Sequence, residues 1–424
     1  MKLDTKPYKG ARDFYPEEKQ IQNYIFNTWR DVCESFGFEE YDAPFLEPFE
    51  LYAAKSGEEL VNNQLYSFTD KGDRKIAIRP EMTPSVSRMV AGKYQELTKP
   101  IKWFSIANFW RYEKPQKGRL REFYQLNADI FGVDNITADF EIIALNKAIM
   151  DKFGATNNMC EVRVSNRQLI DYIFNKAQIT LPELKTKILK ILDAKDKITK
   201  KEYDKKIDET GITKDQQQTL NTYLSADINK LKQILEATDT NEDTKGITDI
   251  IKLFEMLNNS EGFENVIFDP YIVRGLDYYD GMIFEQKDLA KDNNRSMFGG
   301  GRYNGLIGLF INEQVPAIGF AQGDVPLKLF LETWDLLPKF KNTTEYLVTI
   351  FPSDDTKKQL EFFNESQKQA SILRKQGKNV EVYPNLNTNL SKQLSYANSK
   401  QIKQVMIIGE DEIKSEKPTI KILD

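Results

Sequence analysis

The sequence predicts an α+β protein, with an antiparallel sheet flanked by helices, an all-helical insertion and a C-terminal α/β domain. From Arg121 to Ile130 apolar and polar side chains alternate with period two, which is typical of a strand in an antiparallel sheet. Residues 171–262 are rich in lysine, glutamate and glutamine and carry apolar residues at helical spacing, which indicates a helical region whose charges form a solvated face or hold RNA. From Glu345 onwards strands and helices alternate, which favours a small α/β domain with a largely parallel sheet.

These patterns divide the chain into four segments, with the core on both sides of the insertion. Apolar residues at helical spacing predict flanking helices from Pro16 to about Phe36 and from Ala138 to Phe153. The predicted segments are the first part of the core at 1–170, the insertion at 171–262, the second part of the core at 263–337 and the α/β domain at 338–424.

Composition limits the partners and the location. The 424-residue chain has a net charge of −5, so any nucleic acid must be bound through local basic patches. No stretch is apolar enough to span a bilayer and the first residues lack the apolar segment of a signal peptide, so we expect a cytoplasmic protein with no membrane partner. Cys33 and Cys160 are the only cysteines, too few for a disulfide framework or a cysteine zinc cluster.

The sequence contains no histidine. This excludes Ser–His and Cys–His catalysis, histidine metal ligands and a histidine proton shuttle. The chemistry must therefore depend on carboxylates, arginines, tyrosines, backbone groups and bound ions. Such a set favours a reaction that needs positioning and charge neutralisation.

The alternating stretch is predicted to form a long hairpin with a partner strand from Trp103 to Glu113. A basic loop, 114–119, joins the two strands, and Pro115 and Gly118 mark its turn. One face of the second strand is apolar enough to pack on a core, whereas the other is unsuited to a surface that needs only solvation. That second face carries Phe123, Gln125, Asn127 and Asp129. An edge hairpin with a solvated loop is the simple alternative.

Three further segments combine polar side chains with turn or glycine residues. Glu81 and Thr83 precede a helix predicted to begin near Ser85, where they are either functional residues or caps. The segment 272–279 holds an arginine, an aspartate and two tyrosines, which is also compatible with a structural polar network. Gly299, Gly300 and Gly301 permit close backbone approach or positive φ, and alone they are a weak sign of phosphate binding.

Taken together, these segments resemble the histidyl-tRNA synthetases, a family of class II aminoacyl-tRNA synthetases, over essentially the whole chain. The matching motifs are Arg79-Pro-Glu-Met-Thr, Arg111-Tyr-Glu-Lys-Pro-Gln-Lys-Gly-Arg, Val273-Arg-Gly-Leu-Asp-Tyr-Tyr and Gly299-Gly-Gly-Arg-Tyr-Asn-Gly. The resemblance implies the class II antiparallel sheet, a C-terminal anticodon-binding domain and a homodimer. It also implies that ATP and L-histidine react to histidyl-adenylate and pyrophosphate, and that histidine then passes to the 3′ end of tRNA(His).

The resemblance assigns residues to ATP. Arg111 would hold the α-phosphate, Glu113 would bind the adenine amino group and Phe123 would stack on the base. Arg119 would meet the terminal phosphates, which Mg²⁺ bridges, while the resemblance leaves the protein ligands of the metal unknown. Arg274 would be the second catalytic cation, at the α-phosphate and the histidine carboxylate. The reaction brings two anions together, so cationic charge and positioning are what a protein must supply.

The resemblance also assigns a histidine pocket and an acceptor-end contact. The histidine-binding residues would be Glu81, Thr83, Gln125, Asp129, Arg274, Tyr278 and Tyr279. Carboxylates and hydroxyls suit an imidazole ring, which can donate from its nitrogens. Gln116 and Arg121 would touch the acceptor end of the tRNA.

The sequence departs from the family pattern at three places. Pro326 stands where the third class II motif usually has an arginine over the adenine, and Lys328 is a nearby cation that would substitute for it. The α/β domain stops at Asp424, short of the last helix expected of the family. Phe123, Tyr124 and Trp334 stand where relatives often carry histidine, and natural loss and deliberate removal of histidine are both compatible with this sequence.

The main alternative is the non-catalytic regulatory paralogue that partners ATP phosphoribosyltransferase in histidine biosynthesis. That paralogue normally lacks the anticodon domain and erodes the ATP motif, whereas this chain keeps Arg111, Glu113, Arg119 and Arg274. Another class II specificity is disfavoured by the segment 274–279. An inactive RNA-binding or sensor module is disfavoured by the retained arginines.

Overall fold

The computed structural model describes residues 3–54, 60–195, 198–238, 243–273, 278–291, 296–415 and 418–423. The chain forms two compact units, Met1–Leu337 and Pro338–Asp424. No helix within the described ranges is long and apolar enough to cross a membrane.

The first part of the larger unit alternates strands with helices. Pro16 opens the first helix, and it suits this position because the N–H that proline lacks would have no partner inside the helix. In chain order the elements are α1 (Pro16–Ser35), β1 (Glu39–Glu40), β2 (Leu46–Pro48), α2 (Phe49–Ala53), β3 (Ser67–Thr69), β4 (Lys75–Ile78), α3 (Thr83–Lys93), β5 (Ile101–Trp110), β6 (Glu122–Phe131), α4 (Ile136–Lys152), β7 (Cys160–Asn166) and α5 (Arg167–Lys176).

The described part of residues 171–262 contains helices and no strand. Its helices after α5 are α6 (Pro182–Asp193), α7 (Lys200–Asp208), α8 (Lys214–Leu224), α9 (Ile228–Glu236) and α10 (Lys245–Asn258). Capping boxes at Thr199 and Thr213 satisfy the free N–H groups that open α7 and α8. The buried leucines Leu192, Leu224 and Leu231 join the same hydrophobic core as the sheet, so the insertion packs on the core directly.

The second part of the larger unit completes an eight-stranded sheet. It contributes β8 (Val266–Phe268), β9 (Met282–Asp288), β10 (Ser296–Arg302), β11 (Ala317–Gly323) and α11 (Asp324–Thr333). The strand order is β1-β5-β6-β11-β10-β9-β7-β8, and every neighbouring pair is antiparallel except β1–β5 and β7–β8. The predicted α+β class with a mostly antiparallel sheet is therefore confirmed. A separate three-stranded sheet has the order β2-β4-β3.

The two faces of β6 are covered differently. Leu126, Ala128 and Ile130 pack with Trp29 of α1 and Ile142 of α4 in the main core. The opposite face begins at Phe123 and continues towards Phe131, where Val86 of α3, Tyr278 and Tyr303 form a second core over it. The polar face is consequently buried at its Asp129 end.

Small residues lie beside the polar face of β6. In the sheet register Asp129 pairs with Gly319 and Gln125 pairs with Gly323, and Gly319 in turn pairs with Gly301 of β10. A Cβ atom on Gly319 would overlap the Asp129 carboxylate, and one on Gly301 would lie 2.6 Å from the Met282 carbonyl oxygen. Gly301 thus permits close approach of neighbouring backbones, one of the two roles predicted for the glycine run. Because these glycines have no side chains, they leave space above the sheet.

A buried ion pair joins the end of β10 to the start of α4. Arg302 Nε lies 3.0 and 2.9 Å from the two carboxylate oxygens of Asp139, which is fully buried. The guanidinium also donates to the carbonyl oxygens of Val133 (3.0 Å) and Asn135 (2.6 Å). Each charge in this pair is balanced and hydrogen-bonded, as a buried ion pair requires.

The C-terminal unit has the predicted α/β pattern. The strands 380–382, 346–348 and 404–407 are parallel neighbours in that order, and the strand 419–422 adds an antiparallel edge. Buried Gln393 accepts from the Ile350 amide and donates to its carbonyl, which joins the second helix to the end of the first strand. The elements are β12 (Tyr346–Val348), α12 (Thr356–Lys375), β13 (Val380–Val382), α13 (Leu390–Ser399), β14 (Gln404–Ile407), α14 (Glu410–Ser415) and β15 (Thr419–Ile422).

Candidate active site

A cavity of about 680 Å³ opens over the polar face of the sheet. Its volume lies in the range of ligand-binding clefts. The hairpin β5–β6, strands β9 and β10, the junction of β11 with α11 and the end of α6 contribute its walls. Six residues predicted from the sequence line it together, namely Arg111, Glu113, Gln116, Arg119, Phe123 and Gln125.

Charged and aromatic groups meet at the hairpin wall of the cavity. Arg111 donates from Nε to the Pro80 carbonyl oxygen at 2.9 Å, and its guanidinium carbon lies 5.4 Å from the centre of the Phe123 ring. Arg119 and Glu113 form an ion pair of 2.9 Å. The arrangement provides an aromatic surface, two cations and a carboxylate around one space, which suits a base attached to phosphates.

The hairpin loop differs in one respect from the prediction. Strand β5 ends at Trp110 and not at Glu113, because the Tyr112 amide turns away to donate to the Gln64 carbonyl oxygen at 2.7 Å. Gln116 and Arg119 exchange two backbone hydrogen bonds of 2.9 Å, and Gly118 has a φ of 76°. The predicted turn at Gly118 is confirmed, since this positive φ is accessible mainly to glycine.

The two residues predicted to contact the tRNA acceptor end have different positions. Gln116 lines the cavity, whereas Arg121 does not. Arg121 donates to the Glu113 carbonyl oxygen at 3.1 Å and to the Tyr8 hydroxyl at 2.8 Å, and its guanidinium carbon lies 4.1 Å from the centre of the Tyr112 ring. Its contacts in this structure therefore hold the hairpin base.

A buried acidic chamber, formed by Glu81, Asp129, Tyr278 and Tyr303, lies further along the sheet. Tyr278 donates its hydroxyl to Glu81 at 2.9 Å, and Tyr303 donates to Asp129 at 2.5 Å. The two tyrosine rings lie 6.0 Å apart between centres, and Tyr279 lies 5.0 Å from Tyr278. Hence the predicted residues Glu81, Asp129, Tyr278 and Tyr279 come together.

Burial controls the protonation of the acidic chamber. It raises the pKa of Asp129 to about 7, while the hydrogen bond from Tyr303 opposes the change. Burial also raises the pKa of Tyr278 well above its usual range, and a hydrogen bond with Thr83, at the start of α3, acts in the opposite direction. Near neutral pH the tyrosines are therefore neutral donors, and Asp129 titrates.

Comparison with known proteins decides the family. A family model described as histidyl-tRNA synthetase matches residues 10–323, and one described as an anticodon binding domain matches residues 347–424. The histidine–tRNA ligase of Leptospira biflexa is 45% identical over 427 residues, covering 99% of this chain and 94% of the relative. The chain belongs to the histidyl-tRNA synthetase family. The family and the function predicted from the sequence, those of an aminoacyl-tRNA ligase, are thereby confirmed.

Other relatives agree with this assignment. The histidine–tRNA ligase of Haloarcula marismortui is 38% identical and covers 98% of this chain and 93% of its own. The histidyl-tRNA synthetase of Nostoc has a TM-score of 0.81 at 23% identity, over 99% of this chain and 95% of that one. A Bacillus halodurans structure described as an ATP phosphoribosyltransferase regulatory subunit/histidyl-tRNA synthetase has a TM-score of 0.76 at 21% identity, covering 93% and 97%. At these identities the two structures show the fold alone.

In this family member, Arg274 lies outside the described residues, which resume at Tyr278 after Val273. Lys328 is placed differently from the position expected of a substitute cation. Its ammonium lies 3.4 Å from Glu332, and it lines a separate small cavity, while Pro326 lines the main one. Because Lys328 lies two residues after Pro326, roughly 200° further around α11, it faces another surface and does not line the cavity beside Pro326.

Some residues of the site were not assigned from the sequence. Tyr303 belongs to the glycine motif, but its partner Asp129 is 174 positions away, so no local pattern reveals the contact. Glu285 and Lys287 line the cavity on β9 with 3.5 Å between their charged groups. Period-two alternation in β9 would have placed both on one face. Lys195, from the helical insertion, also lines the cavity.

Proposed function

We propose that this chain activates L-histidine with ATP and transfers it to tRNA(His), using the cavity and the acidic chamber as one histidyl-adenylate site. The observation that carries the proposal is the order of side chains on the polar face of β6. Phe123, Gln125 and Asp129 follow one another on this face, from the open cavity to the buried chamber. The six residue steps from Phe123 to Asp129 span about 20 Å, a length suited to an amino acid joined to a nucleotide.

The nucleotide occupies the hairpin end of this site. Phe123 stacks on adenine, Glu113 accepts from its amino group, and Arg111 faces the α-phosphate beside the ring. Arg119 is ion-paired with Glu113, so ATP must exchange this pair for its own contacts. The Arg119 side chain is 55% exposed and can be solvated once the pair opens, whereas Glu113, whose side chain is 9% exposed, needs the adenine amino group as its new partner. Arg274 remains the proposed second cation at the α-phosphate.

Mg²⁺ fits this site as an ion held mainly by ATP. The described residues contain no cluster of three or more acidic or cysteine side chains that would hold a metal. Mg²⁺ bound to nucleotides needs only one or two carboxylates besides phosphate oxygens and waters. Glu285, which lines the cavity, would supply one. Bound Mg²⁺ would neutralise phosphate charge during the attack of the histidine carboxylate.

Histidine occupies the acidic chamber. Asp129, held by Tyr303, accepts from an imidazole N–H, and Glu81 and Thr83 face the substrate from the start of α3. Gln125 lies between the chamber and the nucleotide and would bind near the amino acid backbone. A neutral imidazole offers one donor and one acceptor, so hydroxyls and carboxylates together match it.

The tRNA would contact both units. Gln116 at the cavity mouth is suited to the acceptor end, and Arg121 would join it only by leaving Tyr8 and Tyr112. The unit Pro338–Asp424, which matches the anticodon-binding domain, would bind the anticodon of tRNA(His). The family resemblance also supports a homodimer in the cytoplasm.

Histidine-dependent exchange between ATP and pyrophosphate tests the enzymatic function. Purified chain with Mg²⁺-ATP and labelled pyrophosphate should form labelled ATP with histidine and with no other amino acid. Absence of histidine-dependent exchange above background would refute it. The regulatory paralogue is the second candidate because Pro326 stands where the third class II motif usually has an arginine. Histidine binding in a calorimetric titration, without exchange, would favour it.

Histidine binding should weaken as the pH falls from about 8 to about 6, since burial raises the pKa of Asp129 to about 7. Protonation removes the charge with which the carboxylate accepts the imidazole N–H, so KM for histidine should rise severalfold while KM for ATP stays constant. The substrate imidazole gains its proton near pH 6.5, and its charge favours ionised Asp129. The Asp129→Asn variant separates the two effects, because it should bind histidine weakly with no change between about pH 7 and 8. A constant KM for histidine in the unmodified chain would contradict this assignment.

A further inference from the structure

An N-terminal strap, defined as residues 8–12, crosses the base of the hairpin. The Gly10 carbonyl oxygen accepts from the amides of both Arg121 and Glu122 at 3.0 Å. Gly10 has a φ of 89°, and a Cβ atom there would lie 2.8 Å from the Arg121 side chain, so a glycine is required at this position. Tyr8 accepts from Arg121 at 2.8 Å. The backbone of the strap is thus fixed to the hairpin.

The side chain of Arg12 reaches from the strap to the start of α11, next to residues that line the main cavity. Its guanidinium binds the Asp324 carboxylate at 2.7 Å, while its backbone amide donates to Glu122 at 3.3 Å. The second oxygen of Asp324 accepts from the Tyr124 amide at 2.9 Å. Asp324 is the first residue of α11, and it is 3% exposed. One arginine therefore links the start of β6 to the start of α11.

Both linked elements carry lining residues next to the link. Phe123 lies between Glu122 and Tyr124, and Val325 and Pro326 follow Asp324 directly. The distance between the Phe123 ring and the first turn of α11 therefore depends on Asp324 and its partners. We propose that Arg12 is a positioning residue for the adenine end of the site, which it serves by holding Asp324 against the hairpin. This rests on the proposed function in assigning adenine to Phe123.

The chemistry of Asp324 explains why the link needs a cation. Burial raises the pKa of Asp324, and the Arg12 guanidinium opposes the rise. Without Arg12 the buried carboxylate loses its counter-charge, and the cheapest responses are protonation or movement towards solvent. Either response weakens the hydrogen bond with Tyr124 and loosens the first turn of α11. The acidic chamber, on other residues, is not part of this link.

The test compares Arg12→Ala, Arg12→Lys and the double variant Arg12→Ala/Asp324→Asn. Arg30→Ala is the matched control, because Arg30, on α1, forms a half-exposed ion pair with Glu40 of β1. Each protein is measured for KM and kcat in exchange, for equilibrium binding of a non-hydrolysable ATP analogue, and for thermal unfolding. The double variant removes both charges, so it removes the destabilising unpaired carboxylate and keeps the link broken.

We expect Arg12→Ala to weaken ATP binding about tenfold, the change that 1.4 kcal/mol produces, with KM for histidine within about twofold of the unmodified chain. Arg12→Lys should recover part of the affinity. The double variant should regain thermal stability but keep the weak ATP binding. Three results would overturn the proposal: unchanged ATP affinity in Arg12→Ala, recovered ATP affinity together with stability in the double variant, or parallel loss for ATP and histidine.

The analogue titration separates this proposal from the proposed function. If the unmodified chain binds the analogue but shows no exchange, the enzymatic function is refuted. The Arg12 variants can then still be compared by their affinity for the analogue. An unmodified chain that does not bind the analogue would refute both. If the unmodified chain is active and Arg12→Ala binds the analogue with the same affinity, only the role of Arg12 is refuted.

Discussion

Replacing Arg111 with alanine should lower kcat/KM for histidine-dependent exchange about 100- to 1,000-fold, as loss of a donor that stabilises transition-state charge does. Within the described residues, Nε is the only side-chain atom of Arg111 that donates a hydrogen bond, to Pro80, which leaves the two amino groups for a phosphate. Phe123 beside it restricts where those groups point. Steady-state exchange kinetics provide the measurement.

Two variants control this experiment. Arg111→Lys keeps a charge but lacks the planar fork, so it should recover only part of the rate. Lys328→Ala removes a cation that lies near Pro326 in sequence but at another cavity, and it should leave kcat/KM within about twofold. A rate close to that of the unmodified chain in Arg111→Ala would remove Arg111 from the catalytic role. A large loss in Lys328→Ala would contradict its placement.

Replacing Asp139 with alanine should lower the free energy of unfolding of the larger unit by about 3–5 kcal/mol, the cost of breaking a buried ion pair on one side. Arg302 would keep its charge in a site where its side chain is 7% exposed. The start of α4 and the end of β10 would then lose their connection. Urea unfolding followed by a probe in the larger unit gives the value.

The matched control is Glu40→Ala, which breaks a half-exposed ion pair with Arg30. It should cost at most about 1 kcal/mol, because water screens both charges. Equal losses in the two variants would contradict the assigned role of the Asp139–Arg302 pair. The double variant Asp139→Ala/Arg302→Met should be more stable than Asp139→Ala alone, since it removes the unpaired buried charge.

Period-two alternation was sufficient to predict β6 and the difference between its faces. Leu126, Ala128 and Ile130 pack on the helices, as expected from their apolar character. The pattern did not reveal that Asp129 is buried. Its cover comes from Tyr278 and Tyr303, which are distant in sequence, so the burial is a property of the tertiary fold.

Two differences have the same kind of cause. Strand β5 ends early because Tyr112 bonds to Gln64, a contact between segments that no local propensity encodes. Lys328 was expected near the adenine from its distance to Pro326 in sequence. Two helical positions rotate a side chain by roughly 200°, so it points to the opposite side of α11. Sequence distance along a helix does not measure distance around it.

The helical insertion was predicted as a region, and its function was left open between a solvated face and RNA binding. Lys195 and Leu192 instead form part of the cavity wall. Lysine-rich composition cannot distinguish Lys195 from the exposed lysines of the described helices, because the distinction depends on how α6 packs against the core. Likewise, Arg12 belongs to none of the motifs found in the sequence, and its role follows only from its contacts with Asp324 and Glu122.

The central claim, that the cavity and the acidic chamber are one site, is tested most directly with a non-hydrolysable histidyl-adenylate analogue. Calorimetric titration should give a dissociation constant for the analogue well below those of ATP and histidine, because one ligand fills both parts. Glu113→Gln at the adenine end and Asp129→Asn in the chamber should each weaken it about tenfold or more. An analogue that binds no tighter than ATP, or that is unaffected by Asp129→Asn, would contradict the claim.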